Sequence, residues 1–298
     1  LVFFFISGFV LVFLTLRQRE RKAGGASHKV LYVPPLALYA GIRAIRLLIP
    51  MIGILSLHFL WPLLGDGPVY EKFTGQLLNA CRTNWWKNLL LVNNYDQTPD
   101  LCLVHTWFLS ADFQLHLIAY PLVVLFSLSE TLGILLNLAL ILAGAVVPAI
   151  LHYQRHAPAT LSAFIEVLSR HFFEDMKHLY YPVHIHLSSY FVGFLLGYLL
   201  LKSIKKNRDA VRRHSKMAKS TFSFQKKNCI LLIFTFMFGA IAVISVFGAY
   251  AWCREEGPLV VSEKAGSFYF GFHRLAFILL PVWIVWLCIR YPKSTLSC

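Results

Sequence analysis

The chain has 298 residues, 57% apolar and only 14% charged, against about 45–50% and about 25% in ordinary soluble domains, which excludes a cytosolic globular protein. Its 25 Phe, 13 Tyr and 7 Trp exclude a disordered chain, which could not bury so much apolar area. The formal net charge of +14 raises the question of nucleic acid, but the excess bases lie between apolar runs, so no nucleic-acid partner is expected.

Apolar runs of about 18 or more residues are long enough to cross a bilayer as helix. In chain order they fall near 1–16, which is short, then 47–64, 107–128, 131–151, 183–201, 229–252 and 266–289. These about seven membrane segments, six of them complete, predict an all-α, polytopic helical membrane protein. The first run, LVFFFISGFVLVFLTL, has no Met, no basic flank before it and no small-residue cleavage site before Arg17. It reads as the inside of a helix in a chain truncated at its N-terminus, with the C-terminal end left open.

Each crossing switches sides, which tests the count. Bases concentrate in 17–30 (Arg17, Arg19, Arg21, Lys22 and Lys29 against Glu20), in 202–227 (ten Lys or Arg against Asp209) and in the tail at Arg290 and Lys293. With 17–30 cytoplasmic, seven segments put all three on that face, 65–106 and 152–182 becoming outer loops and 202–227 a basic cytoplasmic loop. The protein is therefore expected in the plasma membrane or an endomembrane. The 202–227 loop would touch anionic lipid or serve regulation, although orientation alone explains its charge.

Cysteines divide by side in this topology. Cys81 and Cys102 share the outer loop and, if oxidised, would close a loop worth roughly 3 kcal/mol. Neither belongs to a CxxC or Cys/His cluster, so no metal site is expected.

Ionisable residues inside spans cost a few kcal/mol each and are functional candidates by default. Arg43 and Arg46, at i and i+3 in GIRAIRLLIP, are read as sharing one face at the cytoplasmic boundary. Such a fork suits phosphate capture, with snorkelling to lipid headgroups as the competing reading. In WFLSADFQLHLIAYP, Asp112 and His116 are i, i+4 and within reach, so the carboxylate would orient the imidazole, while Gln114 adds a third polar group. The competing reading is a polar brace between helices. His184 and His186 open the fifth span two residues apart, which on a helix diverge by about 200°, too far for a metal pair but open to a role at the outer mouth. His273 and Arg274 lie about a third of the way into the last span, where Arg274 needs a partner. His171 and Asp175, in HFFED, match an HxxxD spacing too short to be diagnostic.

The chain resembles the multi-span acyltransferase-3 superfamily, in its animal nose-resistant-to-fluoxetine-like branch. The matching pieces are FFFISGFVLVFLTL, YAGIRAIRLLIP with its RxxR, CRTNWWKNLLLVNNYDQTPDLC, WFLSADFQLHLIAYP, YFVGFLLGYLL and FHRLAFILLPVWIVWLC, which run in family order over most of the chain. The resemblance implies a single integral membrane domain that transfers an acyl group, other than an aminoacyl group, from acyl-CoA to a hydroxyl-bearing acceptor. Arg43 and Arg46 fall on the family's RxxR and would hold the donor's phosphates, while Asp112 and Gln114 fall on its helix-start acid and amide. Cys81 and Cys102 fall on its outer-loop cysteine pair. His116, His184 and His186 join Asp112 as candidate catalytic residues. The family's first helix carries an Arg and a His that would lie upstream of residue 1, and His186 stands where the family usually has Arg. An alternative from another class is a transporter or lipid-handling protein that keeps the fold without the chemistry.

Overall fold

The computed structural model describes residues 1–23, 35–95, 101–156, 176–213, 224–248 and 262–290. Among them the long elements are α1 (Val2–Ala23), α2 (Leu36–Leu60), α3 (Pro68–Leu89), α4 (Trp107–Leu128), α5 (Glu130–Gln154), α6 (Leu187–Arg213), α7 (Phe224–Phe247) and α8 (Glu263–Arg290). Among the described residues five stretches are long and apolar enough to cross a membrane: Leu36–Leu63, Val104–Phe126, Glu130–Gln154, Leu187–Ile204 and Glu263–Cys288. The runs expected at 1–16 and 229–252 form shorter apolar helices, Val2–Thr15 and Leu231–Phe247. His171 and Asp175, and most of the 17–30 and 202–227 basic stretches, lie outside the residues whose side chains are described.

Two boundaries differ from the sequence reading. The span expected from 47 starts at Leu36, because LALYAGIRAIR is helical despite its glycine and two arginines. The expected outer loop 65–106 contains α3, opened by Gly67 in a positive-φ turn (φ 113°) and Pro68 at the first helical position. α3 mixes Asn, Lys, Arg and Thr with its apolar residues, so a search for apolar runs passes over it.

The helices group into two compact units. One holds α1, α5 from Asn137 onward, α6 from Ser188, α7 and α8. Here α1 and α6 run parallel at close range. A Cβ at Gly8 would strike the Tyr190 carbonyl, one at Gly193 the Phe5 carbonyl, and one at Gly197 would lie 2.8 Å from the Phe9 carbonyl. Small residues at i, i+4 let backbones approach this way in membranes. Phe5, Val12, Tyr190, Phe191 and Phe194 close the seam. α8 runs antiparallel to α5, with the Gly271 position against the Ala145 carbonyl and His152 Nδ1 3.0 Å from Ser267 Oγ. It is also antiparallel to α7, with Trp283 Nε1 donating to Thr235 Oγ1 (2.9 Å) and Tyr269 OH to the Ser245 carbonyl (2.7 Å). These relative directions are the ones that alternating crossings require.

The second unit holds α2, α3, α4, the start of α5 and residues 176–187. Its core joins Met51 and Leu55 of α2 to Cys81, Leu91, Cys102 and Leu103, with Leu47, Leu48, Leu89, Leu109 and Phe113 packed around them. Cys81 and Cys102 are bridged at the centre of this cluster.

Candidate functional site

The second unit carries the densest polar arrangement, and α2 and α4 position it. α2 exposes Ile42, Ile45, Ile49 and Ile52 along one stripe and buries Tyr39, Met51, Leu55 and His58 along another, which fixes the side turned towards α4. Tyr39 meets His116 and Tyr120, and Arg43 meets Asp112, so the two helices are antiparallel. The register is staggered: with residue 43 opposite 112, α2 continues past the first residue of α4 by about 18 Å at 1.5 Å per residue. The core around the Cys81–Cys102 disulfide packs on that overhang.

Arg43 Nη2 donates to Asp112 Oδ2 in an ion pair, with the Asp112 side chain fully buried and that of Arg43 26% exposed. Arg43 lies inside the candidate span Leu36–Leu63 and Asp112 inside Val104–Phe126, so the pair joins two candidate spans. The two arginines also part company. Arg46 is exposed on the isoleucine side of α2, while Arg43 turns to α4.

Asp112 does not orient His116. Its Oδ2 is taken by Arg43 and its Oδ1 has no hydrogen-bond partner, while His116 Nε2 lies 3.4 Å from the Tyr39 carbonyl and its Nδ1 is unpartnered. The Tyr39 ring stacks on the imidazole (4.0 Å between centroids, 9° between planes), and the Tyr39 hydroxyl donates to the His116 carbonyl at 3.2 Å. The expectation from i, i+4 spacing fails because a long-range cation outcompetes the local imidazole for the carboxylate.

A neutral network braces the head of α4. Asn93 Nδ2 donates to Asn88 Oδ1 and to Thr106 Oγ1, both at 2.8 Å. Ser110 Oγ donates to Asn93 Oδ1, and Asn88 Nδ2 to the Cys102 carbonyl at 3.1 Å. Gln114 pairs reciprocally with Asn94 (2.8 and 3.1 Å), donates to the Leu91 carbonyl (2.9 Å), and so serves as a brace. Asn88, Asn93, Asn94, Thr106 and Ser110 are all buried and were not singled out from sequence. The signal was present in the Asn-Asn pair between two cysteines, since a polar pair in a disulfide-closed loop either faces water or needs such partners.

His184 and His186 are not on a helix. A 3₁₀ turn, Val183–Ile185, precedes α6 and ends at His186. His186 Nε2 lies 2.8 Å from the Tyr180 carbonyl, and its ring stacks on Trp107 at 5.3 Å. Burial pushes the His184 imidazole below its ordinary value, and its Nε2 has no partner. In the first unit, Arg274 donates to the Phe270 carbonyl (3.3 Å) and lies 4.7 Å over the Phe270 ring, while His273 Nδ1 is 3.0 Å from the Tyr269 and Phe270 carbonyls. Among the described residues no three His, Cys, Asp or Glu side chains gather as metal ligands.

The family model described as "Acyltransferase domain", of the acyltransferase 3 type, matches residues 2–297, nearly the whole chain. The chain belongs to the acyltransferase 3 family. The chain is similar to a longer protein, "Nose resistant to fluoxetine protein 6" of Caenorhabditis elegans, at 25% identity over 234 residues, which cover 77% of this chain and 26% of that protein. The chain thus spans about a quarter of the length of the curated relative it matches. No solved structure matches it. Tyr39, Arg43, Asp112 and His116 thus gather where two candidate spans meet, an ion pair beside an imidazole whose Nδ1 has no hydrogen-bond partner.

Proposed function

We propose that this chain is the membrane domain of an O-acyltransferase that moves an acyl group from acyl-CoA to a hydroxyl-bearing acceptor. Family membership over residues 2–297 carries the reading. Two features of the site support it. Arg46, about 15 Å from the start of α2, is exposed within a candidate span, a position where a guanidinium without an anionic partner costs up to a few kcal/mol. An anionic partner such as the phosphates of the donor removes that cost. Arg43 is committed to Asp112, so Arg46 is the guanidinium of the RxxR pair that the donor would meet.

The test uses full-length protein in proteoliposomes supplied with radiolabelled acyl-CoA and a total membrane lipid extract. Label should appear in a new ester, and Arg46→Ala should raise the donor KM at least about tenfold, the loss of a charge-assisted hydrogen bond costing about 1.5–3 kcal/mol. Lipid movement across the bilayer without ester formation, for any chain length of donor, would refute the enzyme reading in favour of transport.

A further inference from the structure

The two candidate spans that meet at Arg43 and Asp112 differ in length and are out of step. Val104–Phe126 is about 35 Å long at 1.5 Å per residue and by itself fills a hydrocarbon core of about 30 Å, whereas Leu36–Leu63 is about 42 Å long. With residue 43 opposite 112, the head of Val104–Phe126 falls opposite residue 51, so α2 beyond that point lies outside the depth its neighbour fills. Pro50 stands at the same level and frees the helix to bend there.

α3 returns along this second half of α2. Tyr70 OH donates to the Trp61 carbonyl (2.6 Å), and Cys81 packs with Met51 and Leu55. The hairpin so formed has two unlike sides. Its α2 side, running on into the turn that follows, buries Met51, Leu55 and His58 and exposes Ile52, Leu57, Leu60, Trp61, Leu63 and Leu64. No Asp, Glu, Lys or Arg occurs from residue 47 to residue 65. The α3 side exposes Glu71, Lys72, Asn79 and Arg82 at the same level. Those charges keep acyl chains off the α3 side, while an exposed apolar patch of this extent marks an interaction surface. The patch also continues the stripe of Ile42, Ile45 and Ile49, which faces lipid where α2 lies beside α4.

We infer that the hairpin of residues 51–82 lies along the bilayer surface at the head of α4, its α2 side sunk to the headgroup–acyl boundary and its α3 side in water. The partner is the lipid surface itself, and the second half of the candidate span Leu36–Leu63 is a surface segment rather than a crossing one. The inference uses no feature of the acyl-transfer reading and stands whatever reaction the protein performs.

The experiment measures depth in full-length protein reconstituted into phosphatidylcholine vesicles. A nitroxide is attached through p-acetylphenylalanine, which leaves the cysteines untouched, placed singly at Leu57, Leu60, Lys72 or Asn79. Its collisions with oxygen and with a water-soluble nickel chelate are read by power saturation. Labels at 57 and 60 should lie about 5–10 Å below the phosphates, and those at 72 and 79 in water. Labels at 57 and 60 in water would overturn the inference, because the hairpin would then project from the membrane. Shielding of these two from both reagents would overturn it in favour of a protein partner, a second copy included, and labels at 72 and 79 at acyl-chain depth would show the hairpin crossing instead. A second measurement needs no variant. Trp61 and Trp86 are equally exposed, 44% and 45%, but stand on opposite sides of the hairpin. Under hydroxyl-radical footprinting of the unaltered protein in the same vesicles, Trp61 should oxidise several-fold more slowly than Trp86, and equal rates would sink the proposal.

Discussion

Replacing Asp112 by Asn keeps the shape of the side chain and removes its charge, leaving the Arg43 guanidinium without its carboxylate inside two candidate spans. Removing one partner of a fully buried pair costs about 3–5 kcal/mol. Arg43 keeps 26% of its side-chain surface exposed, so part of its charge can be solvated and the expected cost falls to about 2–3 kcal/mol. That is roughly a thirtyfold to 150-fold shift in the unfolding equilibrium. Arg43→Gln in the Asp112→Asn background removes the stranded cation as well, and should recover most of the loss, so that the double-mutant cycle returns a coupling of about 2 kcal/mol. Equilibrium unfolding of full-length protein by steric trapping in mixed micelles reads all four corners. An Asp112→Asn protein within about 0.5 kcal/mol of wild type, with no coupling in the cycle, would show that the pair contributes nothing and that Arg43 finds its neutralisation elsewhere.

Cys81→Ser with Cys102→Ser opens a bridge between residues 21 apart and should cost about 3 kcal/mol, and non-reducing peptide mapping of the untreated protein should recover the two as one linked fragment. Asn93→Ala removes the donor shared by Asn88 Oδ1 and Thr106 Oγ1, which keep their bond to each other, and leaves the buried Ser110 hydroxyl without its acceptor, so it should destabilise by about 2 kcal/mol in the same unfolding assay, against less than about 1 kcal/mol for an exposed residue such as Glu71. Burial lowers the His184 value from 6.5, so below about pH 6.5 the unfolded chain binds a proton that the folded protein refuses. Stability should therefore fall as the pH drops from 6.5 towards the lowered value, and His184→Gln should flatten that slope; a thermal midpoint equally steep in pH for the variant would assign the dependence to another group.

The membrane helices were legible because an apolar run is a local property. The 107–128, 131–151 and 266–289 runs became α4, α5 and α8 within a few residues. α3 was not, since nothing in a helix of mixed polarity distinguishes it from a solvated loop until the disulfide and Leu91 give it a core to pack on. The candidate residues were named correctly as expensive, yet their partners were misjudged. Arg43 and Asp112 lie 69 residues apart, and spacing rules reach only three or four. The same limit hid the parting of Arg43 from Arg46: a 60° difference in helical direction separates an ion pair from an exposed cation. The Cys81–Cys102 pairing was within reach because both cysteines lay in one loop.

The stagger of α2 and α4 bears on how the protein is made. Segments enter the bilayer in chain order, so α2 arrives carrying Arg43 and Arg46 before the carboxylate that answers Arg43 has been synthesised. A guanidinium within an inserting helix costs up to about 2.5–3.5 kcal/mol, the figure for its centre, and α4 in turn brings Asp112 at a similar cost. Each helix is a poorer insertion substrate alone than the two are together, and their antiparallel register lets α4 repay both debts at one point of contact. Stable insertion of α2 is therefore expected to depend on a helix that begins about 60 residues after Arg43, so that truncating the nascent chain before α4 should lower the fraction of α2 that inserts.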